Sequence, residues 1–177
     1  MDGGTTCTQG SPRGSRWTEQ QTMTEGNPGP TRELEDLLRR LEDARVGLME
    51  AIDSCDPSLF EKKHDGEPIK RLLERTADDL NFYYGSLAAR ALSLPQPPCL
   101  QSADFSSLRE AAMSIQVAHR RFANLLHDLV SADLEKVATD QERGTHTLRQ
   151  VLEMAAAQYN LRRQQIERIA AQASGKR

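Results

Sequence analysis

Four stretches of this chain repeat apolar side chains at the spacing of a single helical face, and helix-breaking segments separate them. The first carries Leu34, Leu37, Leu38, Leu41, Leu48 and Ile52. The second carries Ile69, Leu72, Leu73, Thr76, Leu80, Tyr83, Leu87 and Ala91. The third carries Leu108, Ala111, Ala112, Ile115, Phe122, Leu126 and Leu129. The fourth carries Leu148, Val151, Leu152, Ala155, Tyr159, Ile166, Ile169 and Ala170. A helix advances about 100° per residue, so each set forms one stripe that must be buried against the others. The spacing predicts helices over 31–54, from Pro68 to the prolines of LPQPPCLQ, over 106–131 and over 147–173, with no competing strand over any long window.

Local signals agree with these boundaries. Thr31 is placed to cap the first helix, with Glu33 and Glu35 in its acidic first turn. Asp56 before Pro57 marks a capped turn, and Pro68 suits the first position of the second helix. The connection over 94–105 is long for a hairpin and suits a crossover that sets the third helix parallel to the second. SADLEKVATDQERGTH reads as a polar linker closing at Gly144. The expected fold is all-α, a four-helix bundle of up-down-down-up topology over 31–173. Residues 1–30 are rich in Gly, Thr, Ser, Gln and Pro without an apolar period and read as a disordered tail, as do 174–177. Met23 is a second candidate start.

The balance of charge narrows the function classes. With a net charge of −3 and no basic block interleaved with aromatics, the chain does not read as a nucleic-acid binder. It contains neither a membrane-length apolar run nor a secretory leader pattern. Cys7, Cys55 and Cys99 are odd in number and widely spaced, which points to free thiols in a reducing cytoplasm. Glu61 and His64 form one E-x-x-H, but a di-iron bundle needs two such motifs. Neither a glycine-rich phosphate loop nor a serine nucleophile elbow occurs.

One residue interrupts the fourth stripe. Arg162 falls among the core positions, and Gln158 lies one turn before it on the edge of the same face. Burying a guanidinium is costly unless it is paired. GEPIKRLLERTADDLNFYYGSL resembles the second-helix signature of the DinB/YfiT-like metalloenzyme superfamily, a bacterial-type family of four-helix bundles. GTHTLRQVLEMAAAQYNLRRQQI resembles that family's fourth-helix signature, which leads into H-x-x-x-H. Members often hold a divalent metal with one histidine from the second helix and two from the fourth. The resemblance, which covers about 31–172, places those ligand positions at Arg75, Gln158 and Arg162. None is histidine. Arginine has no lone pair to offer, so the resemblance implies a metal site that has not been retained, with no metal and no cofactor.

Three arrangements are open for the two arginines: an ion-pair plug with Asp79 and with Glu50 or Asp53, an anion-binding site, or exposure to solvent. Taken alone, Arg75 reads as a solvated arginine paired to Asp79 one turn on. His119 lies on the apolar face of the third helix and reads as a hydrogen-bonded core histidine or as a surrogate ligand or acid–base group. His127 sits on the flank. The expected function is non-catalytic binding of a small molecule or a protein partner in the cytoplasm. The family also implies homodimers, although the sequence shows no clear seam. The alternative is a metal-dependent thiol S-transferase-like enzyme with an atypical site.

Overall fold

The computed structural model describes residues 32–63, 67–98, 100–141 and 144–175. The expected N-terminal tail and cap at 1–31, with His64 and Cys99, lie outside them, as do residues 176–177 of the expected tail at 174–177, whereas Ser174 is the last residue of a helix and Gly175 its cap. The chain is mostly helical: α1 (Arg32–Asp53), α2 (Ile69–Asp78), α3 (Gly85–Ala91), α4 (Leu108–Leu125) and α5 (Leu148–Ser174). α2 continues without a break through a π-helical turn, Asp79–Tyr84, into α3, so four helical rods surround one core. No described helix is long and apolar enough to cross a membrane.

The stripes meet in that core. Leu34, Leu48, Ile69, Leu73, Leu87, Ile115, Leu152 and Ile166 are among its fully buried side chains. Burial of each is worth about 1.5–3 kcal/mol relative to exposure. The second stripe departs from expectation at one place. Tyr84, not Tyr83, takes the deeper position, at 5% exposure. The reason is the π turn, in which the Gly85 amide donates to the Leu80 carbonyl, five residues back. A π turn holds one residue more than an α turn and rotates everything after it.

Boundaries also shift. Pro68 is the cap residue of α2, and the helix begins at Ile69. Asp56 caps the short 3₁₀ turn Pro57–Leu59 through a 2.8 Å bond from the Ser58 amide. α4 ends at Leu125, before Leu126 and Leu129, which are buried beyond the helix.

The segment expected to be a polar linker is structured. A 3₁₀ turn, Ser131–Glu135, leads into an antiparallel hairpin of β1 (Val137–Asp140) and β2 (Gly144–Thr147), with Val137 opposite Thr147. Gly144 has φ +89°, a left-handed conformation that favours glycine. The hairpin is pinned to the bundle by buried Ala138 and by Arg90 Nη1, which donates to the Thr139 carbonyl at 2.6 Å. Thr147 then caps α5 reciprocally with Gln150. β-branched Val137, Thr139, Thr145 and Thr147 favour the extended form, but four-residue strands are too short for an alternation to stand out.

The connection between α3 and α4 is held by side chains from α2. Glu74, 2% exposed, accepts from the Phe105 amide at 3.2 Å and from Arg71 at 2.9 Å. Asp78 accepts from the Ala103 amide at 2.8 Å, and Lys70 pairs with Asp104 at 2.8 Å. Residues 70, 74 and 78 are four apart, so one face of α2 grips the irregular segment that precedes α4. α5 lies against α1: Arg149 pairs with Glu33, and the Arg163 side chain lies on Gly47.

Candidate functional site

Two polar regions sit on α5, one on each side of its apolar stripe. The first contains the positions singled out by the family resemblance. Gln158 Nε2 donates to Asp79 Oδ2 on the π turn at 2.7 Å. Arg75 is held by two bonds to Glu67, at 2.9 and 3.1 Å, and its side chain is 62% exposed. Arg162 is half-buried and donates through Nη1 to Gln165 at 2.9 Å, one turn along its own helix. Its buried Nε has no hydrogen-bond partner among the described residues. Burial pushes the Arg162 guanidinium below its ordinary value, against the pull of Asp79 and Glu67, and Arg75 adds a like-charge push in the same downward direction.

Arg75, Gln158 and Arg162 are therefore brought into one electrostatic neighbourhood with Glu67 and Asp79. Arg75 reaches back to Glu67, a partner that was not expected, and Asp79 accepts from Gln158. Glu50 and Asp53, at the end of α1, are exposed rather than part of a plug. The partner Glu67 was not legible as such, because it lies before the helix, outside any periodic pattern.

These residues do not fit a divalent metal. Guanidinium groups carry no free lone pair, and the Gln158 amide already donates to a carboxylate. Among the described residues no group of three histidine, cysteine or acidic side chains is arranged to hold a metal ion.

His119 belongs to the other region. Its Nδ1 lies 2.9 Å from the Tyr159 hydroxyl, and its Nε2 lies 3.2 Å from Glu42 Oε2. A carboxylate only accepts, so Nε2 carries the proton and Nδ1 accepts from tyrosine. Glu42 is gripped by Arg45 through bonds of 2.8 and 2.5 Å. The Arg45 bond holds the Glu42 carboxyl below its usual range. Desolvation lowers the His119 pKa and outweighs the attraction of Glu42. Desolvation also pushes the Tyr159 phenol, 0% exposed, far above its usual range. Both ring nitrogens are engaged and the imidazole is neutral, so His119 is a hydrogen-bonded core histidine. It offers no free base and no metal lone pair. His127, on the flank, is exposed beside Asp128 at 2.7 Å.

A third feature was not expected. A cleft of about 450 Å³ runs between α1 and α5, on a floor of Leu37, Ala44, Leu152, Ala156 and Ala157. Arg40, Asp43, Glu153, Asn160 and Arg163 rim it. These rim residues look like an ordinary solvated face in the sequence, and only the packing of α1 on α5 makes them one concavity. No family model matches the chain, and no curated protein matches it either.

Proposed function

We propose that this chain is a DinB/YfiT-like bundle of up-down-down-up topology whose metal position has become a polar plug, and that it is a non-catalytic binding protein of the cytoplasm. Several contacts support the topology. Asp79 and Tyr84 reach Gln158 and Met154, so numbers fall on α5 as they rise on the second rod. Glu33 with Arg149 and Gly47 with Arg163 keep one offset, which sets α1 and α5 side by side in the same sense. Glu74 meets the residues before α4, whereas Leu80 and Gly85 line a pocket with Phe122 near its end, which sets the second and third rods parallel.

One observation carries the functional reading. At the three family ligand positions stand two guanidiniums and an amide, neutralised by Glu67 and Asp79 instead of facing a cation. A dication there would meet two fixed positive charges. At an effective dielectric near 20 that repulsion is on the order of a few kcal/mol at close range. A Lewis-acid or metal-thiolate chemistry has no support from such residues.

The test is to restore the ligands. Arg75→His, Gln158→His and Arg162→His together remove both charges and supply three imidazoles, with water completing the shell. Zinc titration should give tight binding by the triple variant, weaker binding by the Gln158→His/Arg162→His pair, and none by the parent. If the triple variant binds no better than the pair, Arg75 does not share the position and the family reading falls. One tightly held divalent metal in the untreated parent overturns it outright.

A further inference from the structure

We propose that the pocket between the π turn, the proline-rich connection and the end of α4 binds a monocyclic aromatic carboxylate, with its ring against Phe122 and its carboxylate on Arg121. This gives the binding protein inferred above a ligand class and a site, and rests on that reading only for the expectation of a small-molecule ligand.

The pocket has three apolar walls. Leu80 and Gly85 come from the π turn, whose five-residue repeat sets one above the other. Pro97, Pro98 and Leu100 come from the connection, and Phe122 and Leu125 from α4. Gly85 leaves its share of the wall without a side chain. A Cβ there would stand 3.0 Å from the Leu80 carbonyl oxygen and 3.7 Å from Pro97 Cγ, so a larger residue would press on both the turn and the proline wall. The space is about 250 Å³. An apolar cavity of about 150 Å³ accommodates benzene, so the room here suits one ring bearing a small substituent. Phe122 offers that ring the edge or offset contact that aromatic pairs favour.

The polar part of the lining selects the charge of the guest. It consists of Asn81, Arg121 and Asn124, and none of the three makes a hydrogen bond or ion pair with another described residue. The lining thus holds one cation and no carboxylate. α4 has no Asp or Glu between Glu110 and Asp128, and the connection has none before Asp104, which pairs with Lys70. The acids nearest Asn81 in the chain are engaged elsewhere: Asp78 accepts from the Ala103 amide and Asp79 from Gln158. Arg120, beside Arg121, adds positive charge without lining the pocket. An anion is the complementary guest, and an amino acid is not, because no lining carboxylate would meet its ammonium. A carboxylate has about four lone-pair sites, of which a guanidinium can fill two with parallel N–H bonds. Asn124, three residues on from Arg121, shares its face of α4, and Asn81 comes from the second rod. Their amide N–H groups are the donors for the remaining sites.

Isothermal titration of the full chain with sodium benzoate tests this, with benzamide, acetate, cyclohexanecarboxylate and phenylalanine as the comparison set. Benzoate should bind. Removing the charge, removing the ring, replacing the flat ring by a puckered one or adding an ammonium should each weaken binding at least about tenfold. Arg121→Gln removes the cation and Asn124→Trp fills the mouth of the pocket. Both residues are exposed, so both variants should melt close to the parent and lose at least about tenfold in affinity for benzoate. Absence of binding at millimolar benzoate overturns the proposal. Equal binding of benzamide or of cyclohexanecarboxylate overturns the ligand class, and benzoate binding unchanged in both variants overturns the site. None of these results touches the zinc titration of the plug, so the two readings fail separately.

Discussion

Gln158 and Tyr159 are neighbours in α5, yet they serve two polar regions of opposite character. The Tyr159 side is a closed chain in which tyrosine, histidine, glutamate and arginine each have a partner: Tyr159 to His119, His119 to Glu42, Glu42 to Arg45. The Gln158 side is an open one. Its members are bonded in separate pairs, and the Arg162 Nε is buried without a partner among the described residues. A fully satisfied buried network can add rigidity and specificity, whereas a partly satisfied one carries its desolvation cost. The difference teaches that position in a stripe does not decide whether a polar residue stabilises; the completeness of its bonding does.

Breaking the closed chain should have the largest effect. Tyr159→Phe leaves His119 Nδ1 without its donor, and the stability lost should be about 1–3 kcal/mol in urea titration at unchanged m-value. The open region should respond with the opposite sign and a smaller magnitude. Arg162→Met removes a half-buried charge while Asp79 keeps Gln158 and Glu67 keeps Arg75, and only the part-exposed Gln165 amide, which water can reach, loses a donor. It should stabilise by about 1 kcal/mol, and a loss of that size would show that the plug is a net attraction. The smallest effect concerns pH. His119 titrates below its ordinary value of 6.5, so beneath that pH the unfolded chain binds a proton that the folded chain refuses. Stability should therefore fall on acidification through 6.5, by under about 0.7 kcal/mol between about pH 7 and 6, and His119→Gln should abolish that part of the slope.

The helical stripes were legible because each repeats over several turns, and burial follows their spacing. Arg162 was legible as an anomaly for the same reason: it breaks a pattern long enough to define an expectation. What escaped the sequence depends on single residues or on distant ones. A π turn adds one residue without a signature, which is why Tyr83 and Tyr84 exchange places. The hairpin at 137–147 is too short to announce itself. Glu74 has the composition of a surface residue, and only the arrival of the Phe105 amide makes it a core carboxylate. His119 was legible as a core histidine from its face, but its partners Tyr159 and Glu42 come from two other helices.

The grip of α2 on the segment before α4 has a consequence for the order of assembly. Closing the connection between α3 and α4, from about Leu92 to Ser107, costs about 2.5 kcal/mol of chain entropy beyond a constant. The groups that offset this, Lys70, Glu74 and Asp78, act at the far end of the connection, beside the first turn of α4. The loop therefore gains this hold on α2 only when its α4 end arrives, and α4 cannot dock without ordering the loop. Loop closure and helix docking are one cooperative event, and the segment between them should open only together with the start of α4, as a single unit of local unfolding.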